Sequence, residues 1–506
     1  METVELKSEA LGKKASSSET GDKREPPRLS LRVAKNSSVV FAGQLVSMAA
    51  NLGVTVLLAR YLGEADFGIF FYAIVFVGAF AILADFGMQA ILVREFSRRP
   101  NHGELFINAL LVKVLLSITA IALTIISAWF AGDNERLFTI IAILALNILI
   151  TSKLSTLRAV FEAPFNAFLQ MEVPTLFQLL DSLLLVGITY ALVQLEASLE
   201  MLVIGYALSN LPGVLMIAFA AKRRLSFCLA INRELVRFLL RESFPLLIYS
   251  MLMTLFNSVD VFFLKGTHGD GVVGLYAAAL RLTAPLLFIP QAVASSLLPL
   301  LSRYHERSDE KLSTAFHLGM KVTILIALAL SVATVFLAPQ IIELLYSEAY
   351  RAATTPFIIL MGGQSFLIMN FFFGNALTSV DRQRSLFYAA AAMFASNLVA
   401  NWALIPVYGI QGAAVAKLVS SVCGFVMLFI ALRKSFTFHL CQLLPRIVLI
   451  GASFAAVLVP LSRAQFVVAL IGSIVVFPLL VLLSGVFSND ELAVLRLIIP
   501  ISSSRK

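Results

Sequence analysis

Between about residue 36 and residue 486 the chain consists of apolar segments that follow one another with short polar connections. Hydrophobic residues make up 59% of the chain and charged residues 14%, so a soluble fold would lack polar side chains to cover its surface. Segments of about 20 apolar residues cross a bilayer as helices, because a helix satisfies its own backbone groups in lipid. The alternating pattern of a membrane barrel is absent. The sequence therefore predicts an all-α polytopic membrane protein.

The apolar pattern predicts about 14 transmembrane helices. The loops between them are too short to hold a soluble catalytic domain. The predicted spans are 36–59, 67–91, 106–130, 137–157, 175–194, 201–220, 242–264, 272–301, 315–338, 355–378, 386–405, 411–432, 446–462 and 466–486.

The chain carries 39 Lys and Arg against 30 Asp and Glu, a net charge of +9. If the N-terminus is cytoplasmic and the chain crosses at every predicted span, most Lys and Arg lie on the cytoplasmic side. Those expected outside are few: Arg60, Arg136, Lys265, Arg351 and Arg463. This asymmetry predicts a multi-pass protein of the inner (cytoplasmic) membrane with both termini in the cytoplasm. Membrane topology and contact with membrane lipids thus explain the positive net charge. No nucleic-acid partner is expected.

Two parts of the chain repeat a sparse pattern at an offset of about 206 residues. The matched pairs are Asn51 with Asn257, Gly63 with Gly269, Glu64 with Asp270, and Gly68 with Gly274. An even number of spans separates matched positions, which predicts parallel repeats about an axis along the membrane normal. The expected organisation is a disordered basic cytoplasmic tail (1–35), an N-terminal six-helix bundle (36–220), a cytoplasmic linker (221–241), a C-terminal six-helix bundle (242–432), and two extra helices with a cytoplasmic tail (433–506).

Several short motifs, taken in order, resemble those of one transporter superfamily. They are Leu62–Gly68, Asp85–Gly87 followed by Arg94, Ser243–Pro245, Gly274–Ala279 with Arg281 and Pro290, and Asn401–Pro406 running into Gly409–Ala414. From about residue 35 to 486 the chain resembles the polysaccharide-exporting flippases of the multidrug/oligosaccharidyl-lipid/polysaccharide (MOP) exporter superfamily. The extra C-terminal pair resembles the fourteen-span branch, which includes peptidoglycan-precursor flippases. Lys417 departs from the family, which usually has an uncharged residue there.

The resemblance implies a flippase that moves a polyprenyl-pyrophosphate-linked oligosaccharide from the inner to the outer leaflet by alternating access. Polysaccharide assembly enzymes would be its partners. Three alternatives stay open: a peptidoglycan-precursor (lipid II) flippase, a cation-coupled multidrug exporter of the same superfamily, and a membrane glycan polymerase or ligase. The short loops argue against the last of these, so the sequence predicts a transporter with no catalytic residues.

Arg281 is the first candidate for substrate binding. It lies about ten residues inside a predicted span, where a lone cation costs about 2.5–3.5 kcal/mol on insertion scales. Such a residue faces a wet cavity or a partner such as Asp260. The planar guanidinium matches two phosphate oxygens, and the resemblance implies a cationic cavity that binds pyrophosphate.

Further cavity candidates are Lys113, Lys417, Asn51, Asn257 and Gln44. Long lysine side chains can instead reach the interface, which is the favoured interpretation for Lys113. The asparagines can instead hydrogen-bond between helices.

Asp181, Asp260 and Asp85 are the acidic residues nearest the membrane interior, and each is a candidate for proton or sodium coupling. For Asp85, near Gly87, a helix cap or hinge is the favoured interpretation. The three cysteines and five histidines are scattered, so no metal site or disulfide is expected. No phosphate-binding loop is present, so no cofactor is expected and ATP is not the direct energy source.

Overall fold

The computed structural model describes residues 27–98, 102–132, 134–151, 156–224, 230–288, 309–382, 384–436, 440–464, 466–488 and Glu491. These residues are mostly α-helical, and no strand occurs among them. Their fold is all-α, as the sequence predicts. The predicted tail (1–35) lies largely outside the described residues, as does Pro290.

The first group contains the helices between Pro27 and Arg224. Its members are α1 (Pro27–Asp85), α2 (Met88–Arg98), α3 (His102–Ala131), α4 (Glu135–Leu146), α5 (Arg158–Ala167), α6 (Glu172–Gln194), α7 (Leu199–Leu208) and α8 (Leu211–Arg224).

The second group begins at Arg233, inside the predicted linker 221–241. Its members are α9 (Arg233–His268), α10 (Asp270–Thr283), α11 (Asp309–Tyr346), α12 (Thr354–Ser379), α13 (Arg384–Leu432), α14 (Leu440–Ala464) and α15 (Phe466–Leu483).

Ten helical stretches of the described residues are long and apolar enough to cross a membrane. Two long helices bend at glycines with positive φ: α1 at Gly63 (φ 70°) and α13 at Gly409 (φ 55°). Each of these helices therefore supplies two spans, and the arrangement is compatible with the predicted 14.

Two predicted spans are interrupted. Helix α4 ends at Leu146, a 3₁₀ turn covers Asn147–Leu149, and the next described helix begins at Arg158. Since Ile150 and Thr151 are not helical, 137–157 is not one continuous helix. In the predicted span 272–301, α10 passes into a 3₁₀ turn at Ala284–Leu287. Pro285 has no N–H to donate, and its ring disfavours a continued α-helix at this point.

Matched residues of the two groups meet at one end of the bundle. A Cβ on Gly68 would overlap the carbonyl of Asp270, and a Cβ on Gly274 would overlap the carbonyl of Glu64. Since Glu64 matches Asp270 and Gly68 matches Gly274, the contact is reciprocal, as a pseudo-two-fold axis requires. Only glycine allows the helices to approach this closely.

Further contacts close this end, which we call the sealed end. Arg60 donates hydrogen bonds to the carbonyls of Leu344 and Leu345, and Tyr350 Oη donates to the Ala59 carbonyl at 2.9 Å. These bonds join α1 to the second group. An apolar core containing Phe67 and Tyr346 lies beneath them.

Arg136 ties three helices of the first group together at the sealed end. Its Nη1 lies 2.8 Å from Asp66 Oδ1, and its Nε lies 2.8 Å from Glu200 Oε1. The hydrogen bonds to Asp66, which have the larger effect, and to Glu200 raise the pKa of the Arg136 guanidinium above its ordinary value. The opposite end of the bundle, where α8 ends and α9 begins, is called the linker end.

Candidate functional site: a cationic cavity between the two helix groups

A cavity of about 370 Å³ lies between α1, α6 and the end of α10. Both helix groups contribute to its lining, which is Gly43, Gln44, Ser47, Met48, Asn51, Leu52, Thr55, Thr175, Gln178, Arg281, Ala284, Pro285 and Phe288. A second cavity of about 320 Å³ shares Asn51 and Arg281 with the first. Its remaining lining residues are Ile74, Val77, Leu144, Asn147, Thr151 and Tyr206.

Arg281 is the charged residue that the two cavities share. It lies in the last turn of α10, directly before the 3₁₀ turn that contains Pro285. Its side chain is half-buried, with Cζ 4.9 Å from the centroid of the Phe71 ring. Neither lining contains Asp or Glu, and Arg281 has no ion pair with any described residue. The site therefore offers a guanidinium whose charge is available to an anion.

The rest of the cavity wall is uncharged and combines polar with apolar side chains. Gln44 and Asn51, both predicted as cavity residues, line it from α1, and Gln178 lines it from α6. In the second cavity, the buried Asn147 Oδ1 accepts no hydrogen bond from any described residue. Amides and hydroxyls of this kind can bind sugar hydroxyls.

Lys113 lies away from this cavity and is fully buried rather than reaching the interface. Its Nζ donates to the Asp85 carbonyl at 2.7 Å and lies 3.2 Å from Asp85 Oδ1. At this point α1 ends, with positive φ at Phe86 (53°) and Gly87 (65°). The ammonium thus caps the carbonyl end of α1.

Asp85 and Asn257 line a separate pocket of about 430 Å³ between α1 and α9. Asp85 is the last residue of α1. Neither residue contributes to the lining that surrounds Arg281.

Lys417 also lies outside the cavity lining and is buried among helices of the second group. Its Nζ donates to the Phe256 carbonyl at 2.6 Å and lies 3.4 Å from Asp260 Oδ2. Tyr276 Oη donates to the same Asp260 oxygen at 2.6 Å. Asp260 was a possible partner for Arg281, but its cation in the structure is Lys417.

Asp181 belongs to a buried cluster behind the cavity. Arg158 Nη1 bonds to Asp181 Oδ2, and the Gly213 N–H donates to Asp181 Oδ1 at 2.9 Å. Arg158 Nε also donates to Glu162 at 2.8 Å, and Gln178 Nε2, from the cavity wall, lies 3.3 Å from Glu162. Arg158 and Glu162 lie between the predicted spans 137–157 and 175–194 and were not among the residues predicted to be functional. Their i, i+4 spacing was the available signal.

Two helix groups that close at one end around a cationic cavity define the fold of a MOP-superfamily transporter. The solved structure of the lipid II flippase MurJ, in an inward closed conformation, superimposes on this chain with a TM-score of 0.74 at 17% identity. The superposition covers 87% of this chain and 98% of that one. The chain belongs to the family described as polysaccharide biosynthesis protein, whose model matches residues 33–305. The MatE family model matches residues 245–403.

Two curated relatives extend along most of the chain. One is the probable low-salt glycan biosynthesis flippase Agl15 of Haloferax volcanii, 24% identical over 78% of this chain and 82% of that protein. The other is the capsular polysaccharide biosynthesis protein CapF of Staphylococcus aureus, 20% identical over 80% of this chain and 100% of that protein. The recognition of the superfamily from sequence motifs is confirmed.

Proposed function

We propose that the chain is a flippase that carries a lipid-linked oligosaccharide from one membrane leaflet to the other by alternating access. The name of Agl15, a probable glycan biosynthesis flippase, and that of CapF, a capsular polysaccharide biosynthesis protein, support this task. The polar head of such a substrate cannot cross hydrocarbon unaided, while its lipid tail can stay in the bilayer. A cavity between two helix groups that carries Arg281 and several polar side chains lies on such a path.

The observation that carries this proposal is the environment of Arg281. It is a guanidinium inside a membrane protein, it lines both cavities, and no carboxylate accompanies it in either lining. A polyprenyl pyrophosphate supplies the oxygens that such a group binds in pairs. Gln44, Asn51 and Gln178 are positioned in the same wall to contact sugar hydroxyls.

The cavity chemistry argues against export of cationic drugs. A carboxylate in the cavity would favour a cationic substrate, whereas the two described linings contain no Asp or Glu and share the positive Arg281. Asp85, Asp181 and Asp260 each face a cation of the chain itself, namely Lys113, Arg158 and Lys417. Proton or sodium coupling through one of these carboxylates would require its ion pair to open during the transport cycle.

We further propose that the protein works in the inner membrane with both termini in the cytoplasm. Polysaccharide assembly enzymes would deliver its substrate on one side and use it on the other. In this orientation the sealed end faces outward, so the described conformation would receive substrate from the cytoplasmic side. The chain acts as a transporter and not as an enzyme. A lipid II cargo is the alternative that a transport assay must separate.

The test is translocation in vesicles that contain the purified protein. A fluorescent polyprenyl-pyrophosphate oligosaccharide is placed in the outer leaflet of the vesicles. Its movement to the inner leaflet is followed as protection of its fluorescence from a membrane-impermeant quencher. The wild-type chain should move it, and Arg281→Ala should slow translocation at least about tenfold, as loss of a charge-assisted hydrogen bond predicts. Lipid II is offered in a parallel arm.

Arg351→Ala is the matched control, because Arg351 is an exposed arginine that lines neither cavity. It should transport at the wild-type rate. Equal rates for the wild-type chain and Arg281→Ala would remove Arg281 from the mechanism. Transport of lipid II alone would replace the oligosaccharide cargo with the peptidoglycan precursor.

A further inference from the structure

A groove of about 620 Å³ opens at the linker end, away from the Arg281 cavity. It lies between the end of α1, α3 and the first turns of α9, so both helix groups form its walls. Its apolar lining residues are Phe86, Leu111, Ile231, Val236, Leu240 and Phe244. Its remaining lining residues are Arg233, Arg237 and Arg241.

The three arginines form a row along one face of α9. Their spacing of four residues places each about one turn from the next, so the row extends for about 12 Å. All three are exposed, and none of them makes a hydrogen bond or ion pair with a described residue. Arg94 at the same end is different, because it bonds to Glu242 at 3.0 Å. The row therefore presents three positive charges beside an apolar groove.

The start of α9 is held firmly, which gives this surface a defined geometry. Asn232 Oδ1 caps the helix by accepting from the N–H groups of Glu234 and Leu235, at 3.0 and 3.1 Å. The Asn232 N–H donates to Asn108 at 2.8 Å, and its side chain donates to Glu104 at 2.8 Å. These bonds fasten α9 to α3 across the groove.

The length of α9 places the arginines near lipid headgroups. The helix has 36 residues, which corresponds to about 54 Å, whereas the hydrocarbon core of a bilayer is about 30 Å thick. The first turns of α9 therefore extend past the hydrocarbon when the rest of the helix spans it. Arginines at this depth face phosphate groups, while the apolar lining faces acyl chains.

We propose that this groove is a binding site for an anionic phospholipid. The phosphate headgroup lies along Arg233, Arg237 and Arg241, and an acyl chain occupies the apolar floor between Phe86 and Leu240. The bound lipid bridges the two helix groups at the linker end. The site is separate from the transport cavity, and its test does not depend on the proposed cargo.

Native mass spectrometry of the purified protein measures the binding. The wild-type chain should retain phosphatidylglycerol in preference to phosphatidylcholine. The variant R233Q/R237Q/R241Q should bind phosphatidylglycerol on the order of 100-fold more weakly, since each basic residue near an anionic lipid contributes about fivefold. The matched control K222Q/R223Q/R224Q removes three charges from the same linker region outside the groove, and it should retain the lipid.

A second variant tests the apolar half of the site. Val236→Trp fills the groove and keeps all three arginines, so it should also lose phosphatidylglycerol. Glycerol phosphate, which has no acyl chain, should not bind the wild-type chain at the same concentration. Equal lipid loss in the two triple variants, full retention by Val236→Trp, or binding of glycerol phosphate as tightly as of phosphatidylglycerol would each overturn the proposal.

Discussion

Lys417 and Asp260 show how a residue chosen for function from sequence can have a different environment in the fold. Lys417 was a candidate for substrate contact because it carries a charge inside a predicted span. The structure instead gives it a carbonyl and a carboxylate as partners within the second helix group. These partners lie 161 and 157 residues away along the chain, so no local sequence pattern could reveal the pair.

At this scale we predict that Lys417→Met destabilises the protein by about 3–5 kcal/mol, because it leaves the buried Asp260 carboxylate without its cation. The double variant Lys417→Met/Asp260→Asn should lose less than the sum of the two single variants. Unfolding in detergent measures both effects. Lys222→Met, an exposed control, should change little, and additive losses in the double variant would contradict a direct pair.

Helix ends and breaks are the features of individual elements that matter most here. The matched turns at Gly63 and Gly269 could be found from sequence, because glycine at both positions is a local signal. The break between α4 and α5 could not, since the span 137–157 is apolar enough to read as one helix. Asp181 was a candidate from sequence, but Arg158 and Glu162, which belong to the same buried cluster, lie between two predicted spans and were not chosen.

Gly87 offers a test of how the end of α1 packs on α9. A Cβ there would overlap Leu246 and the Leu247 backbone, whereas a Cβ on Gly132 meets nothing within 4 Å. Both glycines have a φ of 65°, so alanine at either costs roughly 1–2 kcal/mol of backbone strain. Thermal unfolding should show a larger loss for Gly87→Ala than for Gly132→Ala. Equal losses would mean that the helices do not meet closely.

Gly68 tests the sealed end. Gly68→Leu should hold α1 and α10 apart, because a side chain there overlaps the Asp270 backbone. In a cysteine-free background, Asn51→Cys in the cavity should react several-fold faster with an impermeant thiol reagent applied from the sealed side when Gly68→Leu is present. Gly187→Leu is the control, since nothing lies within 4 Å of its Cβ position. Unchanged labelling would show that this contact does not close the cavity.

At the scale of the whole molecule, the all-α membrane fold follows from apolar patterning, and the superfamily follows from the order of short motifs. Arg281, Asn51 and Gln44 were predicted as cavity residues, and they line one cavity. Their roles in binding stay predictions. Lys113 and Lys417 could not be separated from them by sequence, because hydropathy gives the depth of a charge in the membrane and not the partner it meets.

The most direct test of the central claim is the affinity of the purified protein for two lipids. One is a polyprenyl-pyrophosphate oligosaccharide, and the other is its uncharged counterpart, which lacks the pyrophosphate. Arg281→Ala should weaken binding of the pyrophosphate lipid by about 10-fold to 100-fold, the range expected for a charge-assisted contact, and should leave the uncharged lipid unaffected. Equal affinity of Arg281→Ala and the wild-type chain for the pyrophosphate lipid would contradict an anion site at Arg281.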